Sequence, residues 1–167
     1  MSEGSKSESR GHVAGHIKFL ACVADDAHSR TAAYFAGRRA LNCSGRVAIL
    51  HVLPPPEFQH WVAVGDLMRD ETREEAEDFL QQIAGEIYDR VGIMPEYYLR
   101  EGAIGEEILH QLDEDPGIDM LVVGAAPADQ RGGKLISWLA GQLAGSLNVP
   151  LIVVPGNLTN EQIENLT

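Results

Sequence analysis

The stretch from Ile118 to Pro155 decides the fold of this chain: it begins Ile118-Asp119-Met120-Leu121-Val122-Val123-Gly124 and ends Pro150-Leu151-Ile152-Val153-Val154-Pro155. Both apolar runs are short, rich in β-branched residues and bounded by Gly or Pro, which is typical of strands buried on both faces of a parallel sheet. Between them, apolar residues recur at steps of three or four, as on one face of a helix over 134–147. These residues are Leu135, Trp138, Leu139, Leu143 and Leu147. The stretch therefore predicts a βαβ crossover.

The loop between the first of these strands and the helix is the first place to look for a ligand site, because such sheets bind ligands beyond the carboxyl ends of their strands. It ends Gln130-Arg131-Gly132-Gly133-Lys134, with two glycines and two cations at a helix start. Backbone N–H groups at a helix N-terminus attract small anions. A flexible loop with solvated charges explains the same residues, and both interpretations stay open. A Walker-type loop is excluded, because Lys134 is followed by Leu135 instead of Ser or Thr.

Composition limits the class of protein. With 167 residues, 44% of them hydrophobic, the chain suits one α/β domain. Its net charge of −12 opposes nucleic acid and anionic membranes as partners, because both need clustered Lys and Arg. Cys22 and Cys43 have no paired spacing, which favours a reducing compartment. Without a signal core or an apolar run of about eighteen residues, the chain is expected to be cytoplasmic.

The rest of the chain alternates strands with helices. Strands are predicted at 17–24, 46–53 and 95–100, and the mixed charge of the third indicates a sheet edge. An acidic helix is predicted over 66–88, and its carboxylates fall mostly off the apolar face, as on a solvated surface. Residues 1–14 are too polar to bury a core and are expected to be disordered. The tail 157–167 contains a capping box that indicates a short helix.

Two acidic residues, Asp25 and Asp26, follow the first strand. Together with Ser29 they suit the N-terminus of the next helix as caps and dipole partners. A response-regulator receiver also carries acidic residues here, to bind Mg²⁺. Such a receiver needs an Asp after its third strand and a Lys after its fifth, where this chain has Arg100-Glu101 and Pro155-Gly156. Capping is therefore the preferred role for the acidic pair.

Taken together, these motifs resemble the universal stress protein (UspA-like) family. The resemblance rests on Leu-Val-Val-Gly124, the Gly132-Gly133 loop, Val-Pro-Leu-Ile-Val-Val-Pro155, Leu-His-Val52 and Glu-Gly-Ala-Ile104. It implies a UspA-like domain over 15–156. That domain is a three-layer sandwich with a five-stranded parallel sheet of order 3-2-1-4-5 and helices on both faces, as in the Rossmann-like adenine nucleotide alpha hydrolase fold. It also implies a homodimer formed through the edge of the strand Leu151–Val154.

The ligand motif of that family is altered in this chain. ATP-binding members carry Gly-x2-Gly-x9-Gly-Ser/Thr after the fourth strand, and these positions fall on Gly124, Pro127, Ser137 and Trp138. Only the first one matches. Pro127 has no N–H to offer a phosphate, and Trp138 is bulky. The family's aspartate near the adenine falls on Ala24, so the nearest carboxylate is displaced to Asp25.

Two functions follow from the resemblance. The first is a non-catalytic, dimeric signalling or interaction module of the stress response, with no required cofactor, no metal site and no or weak nucleotide binding. The second is an ATP-binding, at most slowly hydrolysing, protein with a variant glycine loop, which would also accept another adenine nucleotide or a small anionic ligand. Its ligand-binding residues would come from Asp25, Asp26, Val52, Gly124, Gly132, Gly133, Lys134 and Ser137. A flavodoxin-like carrier ranks below both, because no flavin loop is evident.

Overall fold

Five parallel strands form one sheet. The structure is a computed structural model that describes residues 16–55, 62–127, 133–142 and 144–167, with only the backbone for 62–66. The strands are β1 (Lys18–Cys22), β2 (Arg46–Leu53), β3 (Glu96–Glu101), β4 (Met120–Ala125) and β5 (Leu151–Pro155). Their order in the sheet is β3-β2-β1-β4-β5. The predicted fold class and strand order are confirmed, including the position of the charged strand β3 at an edge.

Helices cover both faces of the sheet, and each face has its own apolar core. The first face carries α1 (Ala27–Asn42), α2 (Val62–Val91) and α5 (Asn160–Leu166), and the second carries α3 (Ile104–Glu114) and α4 (Gly133–Gln142). Successive residues of β1 alternate between the two cores: Phe19 packs in the first and Leu20 in the second. All five residues of β1 are buried. This explains why the strand reads as a continuous apolar run from Phe19 to Cys22 with no polar alternation.

The helix α4 is shorter than predicted. It ends at Gln142, and residues 144–146 form a turn. The N–H groups of Gly145, Ser146 and Leu147 all donate to the Gln142 carbonyl oxygen, at 3.1, 2.9 and 2.9 Å. The prediction of a helix to Leu147 was wrong for this last part. Leu147 is nevertheless buried, so its apolar character reflects packing of the chain after the helix. The chain leading into α2 contains Phe58 to Trp61, which lie outside the described residues.

The tail forms α5, and this helix lies against α1. Thr159 caps it in a capping box with Gln162, and Ile163 is buried in the first core. The hydroxyl of Tyr34 donates to the Glu164 carboxylate at 3.1 Å, and the Arg90 guanidinium stacks on the Tyr34 ring at 3.6 Å. The predicted disorder of residues 1–14 lies outside the described part of the chain. No helix among the described residues is both long and apolar enough to cross a bilayer.

A buried lysine marks the amino ends of the strands. Lys18 is 3% exposed, and its Nζ donates to Asp115 Oδ2 at 2.5 Å and to the Tyr98 hydroxyl at 3.2 Å, and contacts the Glu96 carboxylate. Burial opposes the charge on Lys18, but the bonds to Asp115, Glu96 and Tyr98 outweigh it and raise the pKa of Lys18. This group, the Lys18 cluster, joins β1, β3 and the end of α3.

Candidate functional site

A cavity of about 310 Å³ lies where the carboxyl ends of β1, β2 and β4 meet the starts of α3 and α4. From β1 the chain leaves for β2 on one side, and β4 lies on the other, so the strand order reverses here. This is the topological switch point, where open α/β sheets bind ligands. The described residues that line the cavity are Cys22, Val23, Ala24, Asp26, His28, Ser29, Leu50, His51, Val52, Ile104, Val123, Gly124, Lys134, Leu135 and Ile136.

Most of the cavity wall is apolar. Val52 and Val123 contribute from the strands, and Ile104 and Leu135 from the starts of the two helices. Burial raises the pKa of the Cys22 thiol to about 12, so this sulfur stays protonated and unreactive at neutral pH. A wall of this kind suits a flat, weakly polar group such as a nucleobase.

The polar groups at the start of α1 are already satisfied within the chain. Asp26 Oδ1 accepts a hydrogen bond from the Ser29 N–H at 2.7 Å, and His28 Nδ1 lies 3.2 Å from the same oxygen. The Ser29 hydroxyl donates to the Ala24 carbonyl at 2.9 Å. The predicted capping role of Asp26 is therefore seen directly. Since the cap carries a negative charge, the N-terminus of α1 is a poor place for an anionic ligand.

Gly124 borders the cavity, but its neighbours explain why a glycine is there. A Cβ at this position would lie 2.2 Å from the His28 carbonyl oxygen, and one at Gly156 would lie 2.5 Å from the His28 Cβ. The start of α1 is thus clamped between the ends of β4 and β5. Only glycine allows this approach, so packing by itself accounts for Gly124, whether or not the residue also contacts a phosphate.

Lys134 brings a positive charge to the cavity. It is exposed, lies in the first turn of α4 and is the one Lys or Arg among the described lining residues. Gly133, just before it, does not line the cavity and has open space around its Cβ position. Gly132 lies outside the described residues. A helix N-terminus beside a lysine is a combination that attracts one anionic group.

Two sequence candidates are placed away from the cavity. Ser137 is exposed on α4 and absent from the lining. Asp25 has a side chain that is 90% exposed, 3.5 Å from Arg30. The structure therefore brings together Asp26, Val52, Gly124 and Lys134, and leaves Asp25, Gly133 and Ser137 outside the lining.

Trp138 does not obstruct the cavity, contrary to the expectation that its bulk would. A Cβ at Gly105 would lie 2.6 Å from the indole ring, so the ring packs directly on the backbone of α3. Pro127 is exposed and is likewise absent from the lining. The substituted side chains therefore neither line the cavity nor fill it.

His28 and Ile104 were not predicted as ligand-binding residues, although both line the cavity. Each lies at or near a helix start just after a strand, which is the available sequence signal. His51 also borders the cavity, but its Nδ1 donates to the Val23 carbonyl at 2.7 Å and its ring packs 5.1 Å from that of Phe79. These contacts hold the His51 ring against α2.

The arrangement can bind a ligand but offers little for chemistry. Among the described residues, no three His, Cys, Asp or Glu side chains are grouped to hold a metal ion. The Ser29 hydroxyl is held by backbone atoms of Ala24, and the Cys22 thiol is protonated, so neither is an activated nucleophile. What remains is an apolar wall with one cation at a helix start.

Comparison with known proteins gives consistent results. Residues 17–155 match the model of the universal stress protein family. Among similar solved structures, the universal stress protein UspA from Lactobacillus plantarum is 18% identical with a TM-score of 0.68, covering 83% of this chain and 97% of that chain.

Two further similar structures hold a nucleotide. A universal stress protein family protein from Arabidopsis thaliana with AMP bound is 13% identical with a TM-score of 0.55, covering 83% of this chain and 91% of that chain. The universal stress protein from Archaeoglobus fulgidus in complex with dAMP is 19% identical with a TM-score of 0.56, covering 83% and 98%. At these identities the likeness shows a shared fold. A comparison with proteins of curated function gives no match.

Proposed function

Because this chain belongs to the universal stress protein family, we propose that it is a non-catalytic, dimeric interaction module of the cytoplasm whose cavity binds an adenine nucleoside monophosphate better than ATP. The observation that carries this proposal is the cavity at the switch point of the sheet, which combines an apolar wall with Lys134 at the start of α4.

The size of the cavity favours a small ligand. Its volume of about 310 Å³ is near the lower end of the range of roughly 300 to 1,000 Å³ that is common for small-molecule sites. A nucleobase fits the apolar wall at Val52, and a single phosphate fits the start of α4. The similar proteins from Arabidopsis thaliana and Archaeoglobus fulgidus hold AMP and dAMP, each with one phosphate.

The charges around the cavity also oppose a triphosphate. Lys134 is the single cation among the described lining residues, whereas ATP brings three phosphates. Asp26 occupies the start of α1 with a carboxylate and repels a second or third phosphate there. Pro127 replaces one of the family's glycines and has no N–H to donate.

A second candidate function remains, which is ATP binding by the variant loop. The observation that favours it is Gly133, for which the described structure gives no packing reason. A glycine at the first residue of α4, followed by Lys134, suits a backbone that approaches phosphate oxygens. In this alternative Gly124, Gly132 and Gly133 share the phosphates with Lys134.

The dimer in this proposal uses the edge of β5. No other strand of the described chain pairs with the outer side of β5. Val153 on this strand is 41% exposed, and Leu151 and Ile152 are only half-buried. An exposed apolar edge of this kind favours pairing with a second copy. Light scattering on V153K should give a monomer, whereas the control L166K, on the 62% exposed Leu166 of α5, should stay dimeric.

The ligand is tested by titration calorimetry with AMP and with ATP in the presence of Mg²⁺, together with analysis of nucleotide released from denatured protein. The proposal expects AMP to bind at least about tenfold more tightly, which is 1.4 kcal/mol. Tighter binding of ATP, or ATP released at one per chain, would replace it by the second candidate. No binding of either nucleotide would remove the nucleotide from the proposal and leave the interaction module.

Asp26 and Asp25 provide a matched pair of variants. D26N keeps a side-chain oxygen for the Ser29 N–H, since Asn caps helices about as well as Asp, but it removes the negative charge from the cavity. D25N removes an equal charge from an exposed side chain outside the lining. D26N should narrow the preference for AMP over ATP, and D25N should leave it unchanged.

A further inference from the structure

The edge of the sheet at β3 holds a second concave surface. A groove of about 500 Å³ runs along this strand between α2 and α3, and we call it the β3 groove. Its lining residues are Arg73, Glu77, Gln81, Tyr97, Tyr98, Leu99, Arg100, Gln111 and Glu114. The strand is the last in the sheet on this side, so its outward N–H and C=O groups have no strand partner within the described chain.

The two helices that wall the β3 groove are strongly acidic. Residues 69–81 of α2 contain six carboxylates against two arginines, and α3 contains four carboxylates with no Lys or Arg. The two walls thus carry most of the chain's net charge of −12. The cations in the groove are already paired: Arg73 with Glu77 at 3.6 Å, and Arg100 with Glu107 at 2.7 Å. The two lining carboxylates, Glu77 and Glu114, are held by the same arginines, so the net negative charge comes from the other carboxylates of α2 and α3 that flank the groove.

Aromatic side chains provide contact area on the floor. Tyr97 is 45% exposed and lies on the α2 side of β3. Tyr98 is on the opposite side of the strand, where its hydroxyl oxygen lies 3.0 Å from Asp115 Oδ2 and 2.9 Å from Glu96 Oε2. Exposed tyrosines next to carboxylates bind cationic side chains through both the ring face and the charge.

We propose that the β3 groove binds an extended, basic peptide segment of another protein, which adds to the sheet as a sixth strand. The peptide backbone would pair with the free edge of β3, and its Lys or Arg side chains would face the acidic walls and Tyr97. This surface is separate from the cavity, because no residue lines both.

Charge decides between the alternative occupants. A second copy of the chain would bring its own acidic α2 and α3 against the same walls, which is unfavourable for like charges. Residues 1–15 of this chain carry two cations and two carboxylates, so they offer no net positive charge. A basic segment of a partner protein is the occupant that complements the groove.

The test uses the full-length protein and a synthetic peptide, acetyl-Lys-Val-Lys-Val-Lys-Val-amide. Binding of the peptide is measured from changes in the chemical shifts of the β3 backbone amides in ¹⁵N NMR spectra. Two control peptides accompany it: a Glu-Val peptide of the same length, and Lys-Val peptides N-methylated at alternate residues in each of the two frames. The expected result is saturable shifts in β3 with the Lys-Val peptide, none with the Glu-Val peptide, and loss of binding with one N-methylated frame.

Two variants locate the contact. Y97A should weaken binding of the Lys-Val peptide roughly fivefold, because it removes an aromatic face beside a cation. Y88A is the control, since Tyr88 is 50% exposed on α2 and does not line the groove. Equal weakening by both variants would argue for general attraction to the acidic surface.

Three other outcomes would overturn the proposal. Undiminished binding of both N-methylated peptides would mean that backbone pairing plays no part. A large gain in affinity on deleting residues 1–15 would identify that segment as the occupant. Shifts in β3 that appear with protein concentration alone would identify a second copy.

Discussion

The amino and carboxyl ends of the strands differ in how the chain surrounds a lysine. At the amino ends of the strands, Lys18 is buried and bound by Asp115, Glu96 and Tyr98, so the charge is matched within the chain. At the carboxyl ends, Lys134 is exposed beside a cavity, and no described salt bridge involves it. The comparison separates a lysine that stabilises the fold from one that is available to a ligand.

This difference follows from the geometry of a parallel sheet. The strands all run in one direction, so loops at their carboxyl ends diverge around the switch point and leave a concave space. At the amino ends the returning chain from α3 closes over β1, where Asp119 accepts the Lys18 backbone N–H at 2.9 Å. One end is therefore sealed by polar contacts and the other stays open.

The largest effect is expected from breaking the Lys18 cluster by removing its carboxylates. The double variant E96Q/D115N leaves Lys18 charged and buried without an anionic partner, so it should lower the free energy of unfolding by about 3 to 5 kcal/mol. Urea denaturation measures the change. The single variant K18M should cost much less, because Asp115 and Glu96 are partly exposed and can be hydrated. Equal costs would contradict this account of the cluster.

At the open end, G124A is expected to have the next largest effect. The new Cβ would lie 2.2 Å from the His28 carbonyl, which belongs to the backbone and cannot rotate away. Overpacking of this kind should cost about 2 to 3 kcal/mol and distort the cavity. The control is G85A, because Gly85 lies inside α2 with no atom within 4 Å of its Cβ position. Thermal unfolding should show a gain for G85A of roughly 0.5 to 1 kcal/mol.

Lys134 should affect binding without affecting stability. K134M removes the cation from the cavity and should weaken AMP binding roughly tenfold, while leaving the midpoint of urea unfolding unchanged. Calorimetric titration measures the affinity. The matched control is S137A, one turn further along α4 and outside the lining, which should bind AMP normally. A large loss of stability in K134M would contradict the claim that Lys134, unlike Lys18, does not stabilise the fold.

The hydroxyl of Tyr98 should contribute less. Y98F removes one hydrogen-bond partner of Lys18 but keeps both carboxylates, so the expected cost is about 0.5 to 1.5 kcal/mol. Chemical denaturation measures the loss in the free energy of unfolding of Y98F and compares it with the loss in K18M. A Y98F change inside a K18M background should cost less than in the native chain, because the lysine that accounts for part of the effect is absent.

The smallest effect is expected from mild changes of pH. Burial raises the pKa values of Asp115 and Glu96, but hydrogen bonds from Lys18 and Tyr98 outweigh it and leave both pKa values lowered. Their contribution to stability is present above the unfolded pKa values of roughly 4 and is lost as pH falls through the lower folded values. Both groups are partly solvated. The free energies of unfolding of the native chain and of K18M should therefore approach each other only gradually as the pH falls below about 4.

The Lys18 cluster also determines how the stability of the fold changes at high pH. Burial raises the pKa of Tyr98 to about 12, and the pKa of Lys18 is raised as well. Both groups keep their protons longer in the folded chain, so their stabilisation is complete below roughly pH 10 and declines above it. The contribution of the Lys18 cluster to the free energy of unfolding should therefore be flat from about pH 5 to about pH 9.

The sequence predicted the sheet well, because strands buried on both faces are written as continuous apolar runs with Gly and Pro at their ends. It predicted less of the candidate site. Asp26 was expected as a cap and is one, and Val52 and Lys134 line the cavity. Trp138 was expected to crowd the ligand, yet its ring lies on Gly105 of α3, because the direction of a side chain depends on the neighbouring helix.

The sequence by itself determined the strands and the absence of a Walker-type phosphate loop, since these depend on local patterns of residues close together in the chain. The strand order came from the resemblance of its motifs to the universal stress protein family. Only the tertiary structure decided that Gly124 makes room for His28 and that Lys18 binds Asp115, some hundred residues away. It also decided that β3 lines a groove between the acidic helices α2 and α3. Such contacts join distant segments, and no local pattern records which distant side chain will fill a given space.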